Sequence, residues 1–189
     1  SIRVVRIAAA KYFTLKNQEL TGNTDFEKAN QEFLTQLNMS LDFASGNHQK
    51  ALYYQSKNNT EEAIKFYKKA IEIDNYYNMS RMNLALINYQ IGLTDESEKL
   101  YLKIIEQEPD FALSHYMLGL LYNELGDTEK SLQYLKQASE REPASVNTFY
   151  NYALKLQENK NLKESISTID KGLHHFPNNE RLLYAKVIA

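Results

Sequence analysis

Four histidines, at positions 48, 115, 174 and 175, are the side chains of this 189-residue chain best suited to ligate a metal or move a proton near neutral pH. His174 and His175 are sequence neighbours, so on a helix their rings point about 100° apart and chelate poorly as a pair. Glu61–Glu62, and Glu140 with Glu142, fall near expected helix ends and read as solvated surface rather than as a general acid and base. No cysteine is present, which removes disulfides, thiolate metal sites and cysteine nucleophiles together. The zinc-protease, phosphate-loop, dinucleotide and nucleophile-elbow motifs are all missing. Three Asn-x-Ser/Thr triplets, at Asn38, Asn58 and Asn78, are short enough to arise by chance. No catalytic activity, cofactor or metal is therefore expected.

Composition narrows the class further. Only 6 Gly and 3 Pro suit a nearly all-helical chain better than a loop-rich or all-β one. The 14 Tyr, against no Trp, suit helices that are half core and half surface, since a tyrosine buries its ring while its hydroxyl stays wet. Net charge is −2 with both signs scattered, so no basic run marks a nucleic-acid footprint. No apolar run approaches the ~20 residues that span a bilayer, so membrane insertion is not expected. Arg6 interrupts the apolar opening SIRVVRIAAAKYF, which argues against a signal peptide. The chain starts without Met, and the expectation is a soluble segment of a longer protein, cytoplasmic or periplasmic.

The elements emerge from a 34-residue spacing. Pro109, Pro143 and Pro177 are 34 apart, with Asn75 one step before. Gly92 and Gly126 share that step, flanked by Asn58 and Lys160. Small residues recur at Ala51, Ala85, Gly119 and Ala153, and again at Ala63, Ser97, Ser131 and Ser165. Bulky ones recur at Tyr67, Tyr101, Leu135 and Ile169, and a further series runs Ala70, Ile104, Ala138 and Gly172. Each period reads as two helices. In the clearest copy the first runs from Ala112 to Leu125, Gly126 supplies a left-handed stop, and Asp127 or Thr128 caps the second. Thr60 and Thr94 are the expected caps of earlier copies. Two helices approach closely only where one offers Gly, Ala or Ser at the crossing, which is the mechanical reason for the small-residue rows.

The copy HYMLGLLYNELGDTEKSLQYLKQASEREP resembles the tetratricopeptide repeat (TPR) family: L-G-x-x-Y, then G-D, then small and aromatic positions, then Pro. The resemblance implies an all-α fold, an α-solenoid of antiparallel helix pairs wound as a superhelix. Four repeats are expected at 44–77, 78–111, 112–145 and 146–179, with 180–189 a partial further helix. Residues 1–43 read as an N-terminal helix pair, a degenerate repeat or HEAT-like cap, in which Thr24 and Glu27 form a capping box. Departures from the family pattern are local. Asn47, Arg81 and His115 replace its first-helix aromatic, which only Phe149 keeps, so His115 is expected to be a partly buried structural residue. Lys50 stands where Leu is usual, and Lys160 where the turn Gly is.

In TPR-like stacks the first helices line a concave groove, and here that face is apolar. Leu52, Leu86, Leu120 and Leu154 form a ladder where the family usually carries a polar residue. Met79, Met82 and Tyr89 accompany it, then Leu113 and Tyr116, then Tyr150. Met and Tyr are adaptable contact residues, so the expected partner is an apolar or amphipathic protein or peptide segment, in cis or in trans. The same ladder also suits packing between neighbouring first helices, and the sequence leaves both readings open. The chaperone-type carboxylate clamp is not expected, because Leu113, Met117, Met82 and Leu86 stand at the comparable places and only Asn83 matches. As the alternative, the VRIAAA helix followed by the array is similar to the C-terminal part of bacterial multihaem cytochrome c proteins. That would make this segment a periplasmic docking tail with no haem site of its own.

Overall fold

In the computed structural model, which describes residues 2–16 and 22–189, every regular element among the described residues is an α-helix. A left-handed residue stands after the first helix of each repeat, at the four places the 34-residue spacing indicates. φ is 56° at Asn58, 83° at Gly92, 78° at Gly126 and 60° at Lys160. The next residue then donates its N–H back into the last helical turn: Asn59 to Tyr54 O (2.9 Å), Leu93 to Asn88 O (2.8 Å), Asp127 to Tyr122 O (3.0 Å) and Asn161 to Leu156 O (2.8 Å). Carbonyls that a helix end leaves without partners are thereby satisfied.

Caps fall one residue earlier than the threonines suggested. Asn59, not Thr60, accepts from the N–H of Glu62 at 3.2 Å. Asn23, not the Thr24–Glu27 box, accepts from Phe26 at 3.0 Å. Asp127 accepts from Lys130 at 3.0 Å, which decides between it and Thr128. Thr94, too, is already the first residue of its helix. The cause is the turn: the left-handed residue leads directly into the cap position, so the threonine that follows is already helical.

Residues Ser1–Leu93 form one compact unit and Thr94–Ala189 another. In the first, α1 (Ile2–Leu15) pairs with α2 (Thr24–Met39), α3 (Ala44–Ser56) pairs with α4 (Thr60–Ile73), and α5 (Asn78–Gln90) packs on α4. Ala10, Ala29, Phe33 and Leu37 make a core cluster there. Ala29 and Phe33 stand 34 residues before Ala63 and Tyr67 and are buried as those are, so α2 keeps the register of a second helix. At Gly46 an added Cβ would lie 1.9 Å from Ser40 O, so the backbone entering α3 tolerates no side chain.

The second unit holds α6 (Thr94–Gln107), α7 (Ala112–Glu124), α8 (Thr128–Ser139), α9 (Val146–Glu158), α10 (Leu162–His175) and α11 (Glu180–Ile188). Its crossings use the small-residue rows as steric logic requires. A Cβ on Gly119 would meet Leu135 Cγ at 2.8 Å and Leu135 N at 3.0 Å, and one on Gly172 would meet Phe149 Cβ at 2.9 Å. Two apolar clusters follow: Leu135, Tyr152 and Leu156, and then Phe149, Ala153, Ile169, Leu182 and Ala185.

The polar residues that replace the first-helix aromatic share one task. Each hydrogen-bonds the carbonyl that stands at the same place in the preceding connection. Asn47 Nδ2 donates to Leu41 O at 2.6 Å, Arg81 Nη2 to Asn75 O at 2.8 Å, and His115 Nε2 to Pro109 O at 2.8 Å. Arg81 also donates to the side-chain oxygens of Asn75 and Asn78. Backbone acceptors in the connections are satisfied in this way, where an aromatic ring would leave them to water.

Candidate functional site

The first-helix face of the second unit is built from α7, α9 and α11. On α7, Leu113, Tyr116 and Leu120 share one side by helical spacing, and on α9 Tyr150 and Leu154 do the same. Leu113 is 45% exposed. Tyr116, Leu120, Tyr150 and Leu154 are half-buried. Tyr116 and Leu120 lean on the Leu135–Tyr152–Leu156 cluster, and Tyr150 on the Phe149 cluster. These side chains are therefore part packing and part surface. A cleft of about 270 Å³ opens among them, lined by Leu120, Asn123, Leu135, Asn151, Leu154, Lys155 and Glu158. Apolar walls reach down to the buried Leu135, while amides and an ion pair, Lys155 Nζ to Glu158 Oε2 at 3.2 Å, stand around them.

A polar-aromatic group continues this face toward α11. Asn151 Nδ2 donates to the Tyr116 hydroxyl at 2.7 Å. Burial raises the Tyr116 phenol above its usual range, opposed by the Asn151 hydrogen bond and then by the positive charge of Arg181. The Arg181 guanidinium lies over the Tyr150 ring at 4.2 Å and donates to Asn147 Oδ1 at 2.7 Å. Sequence reasoning missed Asn147, Asn151 and Arg181. A signal was present: Asn147 and Asn151 are one helical turn apart on α9, and Arg181 stands 34 residues after Asn147.

In the first unit the expected face residues part company. Met79 is 57% exposed, whereas Met82 is only 7% exposed and belongs to the interior rather than to an open groove. Leu52, Leu86 and Tyr89 are half-buried. His48 lies on the same α3 face, with Nδ1 2.9 Å from Ser80 Oγ and its ring 5.5 Å from Tyr67 and 5.4 Å from Tyr77. Burial, and then the charge of Lys11, holds this histidine below its usual range.

The remaining histidines are structural or exposed. His115 is buried, with Nδ1 2.9 Å from the Gln137 amide and Nε2 bound to Pro109 O. Burial lowers its affinity for a proton more than the Pro109 hydrogen bond restores it. The atom facing Nδ1 is Gln137 Oε1, and a neutral ring that donates from Nε2 to Pro109 O accepts at Nδ1, which calls for the flipped amide with its NH₂ toward the ring. His174 and His175 are exposed with rings at 82° to one another, and His175 stacks on Phe149 at 5.6 Å. Among the described residues no group of three His, Asp or Glu is placed to hold a metal ion. No helix of the described residues is long and apolar enough to cross a membrane.

Repeated helix pairs, left-handed turns at one spacing and small residues at the Gly119 and Gly172 crossings define the class of fold: an α-solenoid. Tetratricopeptide-repeat models match residues 44–77 and 100–133, so the chain carries tetratricopeptide repeats there. Solved structures share the fold. A MamA crystal structure superposes with a TM-score of 0.65 at 17% identity, over 84% of this chain and 92% of that one. MamA from Desulfovibrio magneticus RS-1 gives 0.63 at 11% identity, over 93% and 97%. YrrB, described as a TPR protein with an unusual peptide-binding site, gives 0.62 at 16% identity, over 96% and 90%. No curated protein matches the chain in sequence.

Proposed function

We propose that the protein is an interaction scaffold whose first-helix face in the second unit holds an apolar or amphipathic segment of another protein. The observation that carries this is the cleft between α7 and α9, where Leu120 and Leu154 form walls above the core and a polar rim surrounds them. Preformed helices lose little entropy on binding, so burial of apolar surface translates efficiently into affinity. Each Leu or Met side chain of the ligand that is fully buried contributes roughly 1.5–3 kcal/mol. The neighbour YrrB, with its peptide-binding site, makes a peptide ligand a reasonable expectation for this fold.

The test is selection from a displayed library of random peptides about a dozen residues long, the size that helix-in-groove and extended ligands require. Peptides rich in apolar residues should be enriched on the wild-type protein. Leu113→Lys with Leu154→Lys should abolish that enrichment, because each lysine places a hydrated charge where an apolar side chain docks. Thermal melting of the double variant should fall only modestly, since Leu113 is exposed and Leu154 half-buried. Selection that is unaffected by the double variant, or that yields no peptide, would overturn the proposal.

A further inference from the structure

Resting on that reading, we propose that Arg181 receives an acidic side chain of the bound segment, placed between two apolar residues of that segment. The guanidinium is held ready for this. Its face is stacked on Tyr150 at 4.2 Å and one nitrogen is committed to the Asn147 amide oxygen at 2.7 Å. Both partners are neutral, and Arg181 pairs with no carboxylate among the described residues. A guanidinium carries five N–H donors in a fixed fork, so the rest of the fork is free to take a carboxylate in the two-point geometry that suits it. Stacking and the Asn147 bond hold the fork in place, so less side-chain entropy is lost when the anion arrives.

The neighbouring surface explains why the ligand is a side chain within a segment rather than a chain end. On one side Arg181 adjoins the Tyr116–Asn151 pair, and Asn151 is itself a wall of the Leu120–Leu154 cleft. Along α11, Tyr184 and Ile188 lie on the same side of the helix as Arg181, and they are 64% and 55% exposed. Apolar surface thus flanks the cation in both directions, which fits an apolar–acidic–apolar run. A chain-end clamp needs several converging cations, whereas Lys155 at the cleft is paired with Glu158 and Lys186 on α11 with Asp170.

The experiment sequences the peptides selected on the wild-type protein, from libraries displayed with blocked and with free C-termini. Peptides from the blocked library should carry Asp or Glu with apolar residues on both sides. A selected peptide is then compared with its own Glu→Gln or Asp→Asn form on wild type, R181Q and R181K. The change in the peptide should weaken binding to wild type about tenfold, the scale of one charge-assisted hydrogen-bonded pair. It should have little effect on R181Q, and an intermediate effect on R181K, which keeps the charge but loses the fork. Because the first comparison uses the unaltered protein, it stands even if α11 is loosened in a variant. Apolar peptides without acidic preference, or an equal effect of the peptide change on wild type and R181Q, would overturn this inference while leaving the scaffold reading intact. Enrichment confined to free C-termini would also overturn it, in favour of a chain-end site. Failure to select any peptide would overturn both.

Discussion

Replacing Lys160 with glycine is expected to stabilise the protein, although it removes a side chain and adds the most flexible residue. Lys160 holds φ 60°, a conformation that costs an L-residue roughly 1–2 kcal/mol. Its own N–H still reaches Gln157 O at 2.9 Å, a bond that glycine keeps. Glycine loses more freedom on folding, about 0.5–1 kcal/mol, so the net gain is about 0.5–1 kcal/mol. Asn58→Gly at φ 56° should gain less, because asparagine tolerates this region. The reverse changes, Gly92→Ala and Gly126→Ala, isolate the same quantity. Nothing lies within 4 Å of a Cβ built at either site, so no packing effect enters and each should lose about 1 kcal/mol. For a cooperative unit of 60–100 residues, 1 kcal/mol moves the melting temperature by about 4–8 °C. Differential scanning calorimetry on the four variants should therefore rank Lys160→Gly first, Asn58→Gly next, wild type third and the two alanine variants last. A loss of stability in Lys160→Gly, or unchanged melting of both alanine variants, would refute the backbone argument.

Other substitutions probe packing and charge. Lys50 is 8% exposed, donates to Asn38 Oδ1 at 2.8 Å and sits over the Tyr53 and Tyr54 rings, with burial lowering its pKa. Lys50→Leu restores the apolar residue found at Leu84 and Leu118, and should raise the urea midpoint by an amount equivalent to about 1 kcal/mol with an unchanged slope. Gly119→Ala should cost about 1–3 kcal/mol in the same assay, because Leu135 and its backbone stand inside contact distance. His48 and His115 both bind a proton less readily when folded, so the unfolded chain takes up more protons as pH falls through about 6.5. Melting temperature should hold above that value and fall as pH drops below it toward pH 5, and His115→Phe should flatten the fall. A melt independent of pH over that range would contradict the burial of both rings.

How far the fold was legible from the chain differs between backbone and side chains. The 34-residue rows located the left-handed turns at Asn58, Gly92, Gly126 and Lys160 and the crossings at Gly119 and Gly172, because both depend on local backbone sterics repeated at a fixed period. The same rows were silent on the exact cap. Asn59 and Thr60 are both good cap types, and only the dihedral path out of the turn selects the asparagine. They were equally silent on why Asn47, Arg81 and His115 replace an aromatic.

The candidate face divides in the same way. Its apolar stripe on α7 and α9 follows from helical spacing within one element, which the sequence carries. Met82 is interior although it shares the stripe with the exposed Met79, since burial depends on what packs against a helix and not on its own period. The Arg181–Tyr150, Arg181–Asn147 and Tyr116–Asn151 contacts join residues 31, 34 and 35 positions apart on different helices, and their geometry exists only once those helices are stacked. Periodicity is a property of one chain segment and can be read along it. Exposure, cleft volume and hydrogen-bond partners belong to pairs of segments, and the tertiary structure alone brings those together.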